Sequence, residues 1–286
     1  MDLIAELILS VLIVWGLVKW NWLTASGAVM AWLLAFTVLF LAQWSIWPLV
    51  TFLALGSLAG KIRINRGDTK NDSVMVGEGN GSDAKQGLAR DHWQVLANGG
   101  NFMLLAMLSF LNGSGWVEFV VGIHTDFLRL GETCHLLALI SLSVSCADTL
   151  SSDFGRIWGG NPRNIITGKL MLKGVSGGVT VLGFVGALLG AVSIAIFVFW
   201  SEFSLIGSRE SLFWVVVVFG FLGSVLDSVL GVLFQAKYLD VWGNFLDSSD
   251  GGIRPLCGGY KWVTNDVVNA VTGILMLLVA VMYLCW

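Results

Sequence analysis

Charge, proline, histidine and cysteine are all scarce in this chain, and each shortage closes off a class of function. Charged side chains make up 12% of the 286 residues, and a formal net charge of −3 offers no electrostatic basis for binding nucleic acid. The three histidines, His92, His124 and His135, form no cluster, so zinc chemistry and a serine–histidine nucleophile lack their residues. Cys134, Cys146, Cys257 and Cys285 have no metal-type spacing and read as inert thiols rather than a disulfide framework. Three prolines leave most helices unbroken. A G-x-x-x-x-G-K-[ST] run is missing, which removes a P-loop, and neither an internal repeat nor a second domain is visible.

What the chain has in excess is apolar surface. Hydrophobic residues reach 56%, with 14 Trp, and mean hydropathy is +0.80. That balance specifies an integral membrane protein. The 35 glycines suit close packing of membrane helices. Apolar stretches predict an all-α polytopic bundle of about eight transmembrane helices, near 3–18, 23–42, 44–60, 93–111, 132–150, 177–200, 212–236 and 263–285. Residues 1–286 are read as a single transmembrane domain. Acidic Asp2 and Glu6 precede the first apolar run and Lys19 follows it, the reverse of a secretory signal, so the run is expected to be a retained helix. Trp20, Trp22, Trp44, Trp93, Trp200, Trp214, Trp262 and Trp286 fall at predicted helix ends, as an interfacial belt requires.

Positive charge orients this topology. One side holds Lys19, Lys61, Arg63, Arg66, Lys70, Lys85, Arg90, Arg156, Arg163, Lys169, Lys173, Lys237, Arg254 and Lys261, leaving only Arg129 and Arg209 of the 16 cations on the other. The rich side is therefore expected to be cytoplasmic (or stromal in a plastid), with both termini opposite. Residues 61–92 read as a polar mobile cytoplasmic loop able to order over a ligand, and an apolar fragment near 116–123 as a re-entrant or interfacial piece.

Four polar, glycine-bearing patches fall on the cation-rich side: Ala89 to Gly100, Cys146 to Gly155, Lys173 to Thr180 and Gly223 to Gly231. Ionisable groups in membrane helices are costly and mark functional sites by default. Arg90, Gln94 and Asn98 recur every four residues, which predicts one helical stripe entering the membrane from a helix start that favours anions. Inter-helix hydrogen bonding is the plain alternative for that stripe. Asp148-Thr149-Leu150-Ser151-Ser152-Asp153 offers the oxygen ligands that magnesium prefers, where an elaborate helix end is the simpler reading. Lys169, Lys173, Gly174, Ser176, Gly177, Gly178 and Thr180 combine lysines, exposed backbone N–H groups and a helix start, a pattern for binding phosphate. Asp227 sits inside an apolar run, where a charge costs about 2.5–3.5 kcal/mol, so it needs a wet cavity, a cation or a partner. Asn265, Asp266 and Asn269 open the last helix on the same side. Together these residues describe a site for a metal-bound polyphosphate beside lipid.

The motifs RDHWQVLANGG, ADTLSSDFG, NPRNIITGK followed by GGVT, GSVLDSVLG with Gln235, and NDVVN resemble the membrane family that includes plant and cyanobacterial phytyl-phosphate kinase. The similarity runs from about Ser26 to the last helix. Val175 stands where that family usually has a hydroxyl residue, Asp153 replaces the more usual Glu, and VLGVLFQ lacks the common small-residue and Thr pair. The resemblance implies transfer of a phosphate from CTP, with Mg2+, to a membrane-embedded prenyl monophosphate. It assigns Asp148, Asp153 and Asp227 to metal and Arg90, Lys169, Lys173 and the 174–178 backbone to phosphates. Arg163 belongs to the matching NPRNIITGK motif, and Asn98, Asn265 and Asn269 are expected to orient oxygens. A CTP-dependent cytidylyltransferase making a CDP-lipid and a cation-coupled transporter are the competing readings. Carboxylates and helix starts gathered on one side favour an enzyme, since transport sites tend to lie near the midplane.

Overall fold

The computed structural model describes residues 3–65, 89–113, 127–239, 245–247, 249 and 254–284. Eight long helices run through these residues. They are α1 (Leu3–Lys19), α2 (Ala25–Phe36, continued by a π turn to Leu41), α3 (Trp47–Asn65), α4 (His92–Gly113), α5 (Phe127–Trp158), α6 (Val181–Ala195, continued as a 3-10 turn to Trp200), α7 (Arg209–Leu233) and α8 (Asn265–Leu284). Five of them, α4 to α8, carry segments long and apolar enough to cross a membrane, while α1 and α2 contribute shorter apolar helices. The all-helical expectation holds for the bundle, but the connections add two small antiparallel ribbons. One pairs β1 (Arg163–Asn164) with β2 (Gly178–Val179); the other orders β4 (Phe245–Leu246), β3 (Lys237–Leu239) and β5 (Leu256–Gly258) as β4-β3-β5.

Helix α5 is the axis of the bundle. Every residue from Leu136 to Ala147 is buried, and α3, α4, α6, α7 and α8 all pack on it. Its middle, LLALISLSVSCA, carries no charge and only small hydroxyls among its apolar residues, which suits such a position. Its serines tie the neighbours down. Ser143 Oγ donates to the carbonyls of Val216 on α7 (3.1 Å) and Ala191 on α6 (3.4 Å), and Ser145 Oγ donates to Asn98 on α4 (3.0 Å). Hydroxyls bonding across helices replace the hydrophobic drive that lipid removes.

Glycine lets α6 lie directly on α5. A Cβ at Gly186 would stand 2.5 Å from the Leu150 carbonyl oxygen, and one at Gly190 would stand 2.6 Å from that of Cys146. Of the tryptophans expected at helix ends, Trp20, Trp93, Trp200, Trp214 and Trp262 are exposed. Trp44 instead packs on His135 and the core, Trp22 is partly buried, and Trp286 lies outside the described residues. Cys134 and Cys146 are buried free thiols and Cys257 an exposed one. His135 stacks on Trp44 with ring centroids 4.5 Å apart, a packing role.

Three boundaries differ from expectation. Helix α5 runs on to Trp158, so the Asp148–Asp153 patch lies within the helix and caps nothing. Helix α4 begins at His92, which leaves Arg90 outside it. Residues 61–65 extend α3 instead of opening the polar loop; residues 66–88 of that loop, and the fragment near 116–123, lie outside the described residues.

Gly190→Val should lower stability by about 1–3 kcal/mol, because its methyls meet backbone rather than a movable side chain. Thermal unfolding in detergent measures this. A wild-type midpoint would mean that α6 does not seat on α5 through this glycine.

Candidate functional site

Near the C-terminal ends of α5 and α7, and beside the starts of α6 and α8, the chain folds around a polar cleft. Its empty space, counted out to the open mouth, is about 690 Å3. Asp148, Ser151, Ser152, Gly155 and Arg156 enter it from α5, the Lys173–Thr180 loop forms a second wall, and Asp227 and Ser228 of α7, Asp247 and Asn265 complete it. Nine of the residues expected from sequence thus meet here: Asp148, Lys173, Gly174, Ser176, Gly177, Gly178, Thr180, Asp227 and Asn265.

The loop needs its glycines. Gly174 and Gly177 have φ of +89° and +83°, a region that side-chain-bearing residues rarely enter. A Cβ at Gly177 would also strike Val232 of α7, and one at Gly231 would strike Ser176. The loop therefore lies flush on α7. It then feeds α6, whose first turn is capped by Thr180 Oγ1 accepting from Gly183 N at 2.9 Å. Cations flank it. Arg156 Nη2 donates to the Gly174 carbonyl (3.3 Å), and Lys173 Nζ donates to the Arg156 carbonyl (3.4 Å).

Opposite stand the acids. Asp227 is buried and accepts from Thr272 Oγ1 at 3.1 Å. Asp148 lies within Coulombic reach of Asp227 and Asp153. Among the described residues no three Asp, Glu, His or Cys side chains gather as a metal cluster. Two cleft carboxylates with hydroxyl and amide oxygens nevertheless fit magnesium arriving with a phosphate, because that ion is usually held by one or two carboxylates, substrate phosphates and water.

The remaining expected residues lie elsewhere, and helical phase explains most of the separation. Five residues carry an α-helix through about 500°, so Asp153 points about 140° away from Asp148. It is buried on the far side of α5, paired with Arg63 of α3 (Oδ1 to Nη1 3.4 Å). Arg90 joins that side too. The expected Arg90–Gln94–Asn98 stripe is replaced by an extended Arg90 whose backbone bonds to Trp22 and Thr24. Its guanidinium lies over the Phe52 ring, 4.7 Å from the centroid. Asn98 donates to the Gln94 carbonyl (2.8 Å) and accepts from Asn269 Nδ2 (3.5 Å), forming a polar seam between α4 and α8. Arg163 and Lys169 are exposed around the β1–β2 ribbon, where Arg163 Nη1 donates to the Gly168 carbonyl at 2.9 Å.

Two cleft residues escape the motif reading. Arg156 follows Ser152 by one helical turn, which could have flagged it. Asp247 carries no such signal. Its Oδ2 accepts from Ser176 N (2.9 Å) and from Gln235 Nε2 (3.1 Å), while its Oδ1 and Gln235 Oε1 are buried without a partner. Burial pushes Asp247 up to about 6, opposed by the Ser176 N–H and by Lys237 and Arg156. Burial lowers Lys237, which donates to the Gly231 and Val232 carbonyls at 2.8 Å each.

This architecture defines a polytopic membrane protein with one acidic, glycine-loop cleft at an end of its bundle. The chain belongs to the family described as Integral membrane protein DUF92, whose model matches residues 8–277. It is 27% identical to Protein PGR of Arabidopsis thaliana over 280 residues, covering 94% of this chain and 92% of that protein. It is also 31% identical over 97 residues to an uncharacterized membrane protein of Methanocaldococcus jannaschii, covering 34% of this chain and 39% of that one. No solved structure matches.

Asp247 places a carboxylate on an N–H of the glycine loop, so if the cleft takes a nucleoside triphosphate, Asp247→Asn should tighten its binding several-fold at pH 7.5. The advantage should vanish below pH about 6, where the wild-type carboxyl takes up a proton and loses its charge. Titration with a fluorescent nucleotide at both pH values measures it. Weaker binding by the variant would make Asp247 a ligand-positioning group instead.

Proposed function

We propose that the protein is a prenyl-monophosphate kinase, moving the terminal phosphate of CTP onto a membrane-embedded prenyl monophosphate. The observation that carries this reading is the cleft itself, where a cation-flanked glycine loop faces Asp148 and Asp227. A lipid phosphate is already largely ionised at neutral pH, its second pKa being about 6, so it needs little base catalysis. The obstacle is bringing two anions into line. Its oxygen attacks the terminal phosphorus, the bond from that phosphorus to the bridging oxygen breaks, and CDP leaves with those electrons. The products are CDP and a lipid diphosphate.

Residue roles follow from position. The 174–178 backbone, Lys173 and Arg156 hold the nucleotide phosphates and offset their charge as it shifts. Asp148 and Asp227 would hold magnesium, and Ser151, Ser152 and Asn265 would supply neutral oxygens to it or its waters. Such an ion would supply charge neutralisation as negative charge shifts onto the leaving CDP. Asp153 leaves the metal set and serves as the ion-pair partner of Arg63. The cleft is assigned to the cytoplasmic (or stromal) face, with both termini opposite, because the cation-rich loops surround it.

Purified protein given radiolabelled CTP, magnesium and a panel of prenyl monophosphates should yield CDP and prenyl diphosphate. Pyrophosphate with a CDP-lipid would make it a cytidylyltransferase, and ion flux without nucleotide turnover a transporter. Asp148→Asn and Asp227→Asn should each lower turnover by about 100-fold or more with the fold intact. Asp153→Asn should retain most of the rate. Full activity in either of the first two variants would sink the metal assignment.

A further inference from the structure

A second, partly open chamber lies across α5 from the cleft, lined by α1, α2, α3 and the start of α4. Its empty space, counted out to the open mouth, is about 730 Å3. The walls are aliphatic and aromatic, among them Val14, Leu17, Ala31, Ala35, Leu49 and Phe52. Arg90 and Gln94 bring strong polarity to this lining.

Arg90 is placed as an anion receptor. Among the described residues it makes no ion pair: Asp153 contributes Coulomb attraction but is bonded to Arg63. The guanidinium is instead laid over Phe52 and pressed against Gly56. A partly buried cation beside an apolar chamber, with two arginines to one carboxylate nearby, is complementary to a ligand with a negative head and an apolar body. From Gln94 the amide seam leads away: Asn98, then Asn269, whose Oδ1 is buried without a partner. One helical turn on, Thr272 donates to Asp227, which lines the cleft.

We infer that this chamber seats the apolar chain of the acceptor lipid, with Arg90 holding its monophosphate where the amide seam opens toward the cleft. The inference rests on the kinase reading for the identity of the head group, and on the chamber alone for the chain. Lipid and nucleotide then enter on opposite faces of α5, and their phosphates meet across the α4–α8 seam. Chain selection belongs to α1–α3, and phosphate chemistry to α5–α8.

The test uses full-length protein in lipid nanodiscs and geranylgeranyl monophosphate carrying a diazirine at the chain end. Photolysis should label α1, α2 or α3. Ala35→Phe, and the milder Ala31→Leu, fill the chamber and should cut labelling about tenfold and threefold, while a fluorescent nucleotide binds the cleft unchanged. Arg90→Gln should weaken the monophosphate about tenfold and leave labelling by the matching prenyl alcohol unaltered. Labelling confined to the outer faces of α6 or α8, or indifferent to both filling variants, overturns the chamber. Equal competition by a fatty acid overturns the phosphate assignment to Arg90. Chamber labelling without turnover would count against the kinase reading alone; turnover with a filled chamber would count against this inference alone.

Discussion

The burial of α5 on every side is the constraint from which the rest of this molecule follows. Its middle, Leu136 to Ala147, is buried throughout, so each polar side chain there must find a partner inside the protein or line a cavity. Its serines take the first option, bonding to backbone carbonyls of α4, α6 and α7. Its acidic segment divides between the two: Asp153 pairs with Arg63, and Asp148 opens onto the cleft. Because Leu136 to Ala147 is buried throughout, neighbouring helices can approach only where glycine or another small residue permits. That explains Gly186 and Gly190 on α6 and Gly220 on α7, which would each drive a Cβ into α5.

Helical phase then separates two chemistries. Asp148, Ser152 and Gly155 follow one another at spacings of four and three, and face the glycine loop. Cys146, Thr149 and Asp153 follow at three and four, and face Arg90 and Arg63. A short stretch of sequence therefore supplies both an acidic wall of the polar cleft and a charged rim for an apolar chamber.

Much of the bundle was legible from composition. All eight apolar runs became helices, since about twenty uninterrupted apolar residues leave the backbone no other way to satisfy its hydrogen bonds in lipid. The glycine loop was legible because its glycines have a local cause: positive φ at Gly174 and Gly177, and contact with Val232. The Arg90–Gln94–Asn98 stripe misled, since regular spacing implies a shared face only where the helix has begun, and α4 begins at His92. Asp247 was invisible because it reaches the cleft from a polar connection, and its partners, Ser176 and Gln235, are distant in sequence or outside any helical periodicity with it.

By itself the sequence determined that this is a polytopic membrane protein, which segments are helical, and that several of its carboxylates, amides and loop glycines share one end of the bundle. Those properties follow from local hydropathy, charge counts and helix polarity, all of which are additive along the chain. Only the tertiary structure decided that the polar residues divide between two cavities, that Asp153 neutralises arginine, and that Asp247 holds the glycine loop. Those outcomes depend on the rotation of each helix about its own axis and on how closely its neighbours approach. Both are set by side-chain packing around α5, and no single segment contains them.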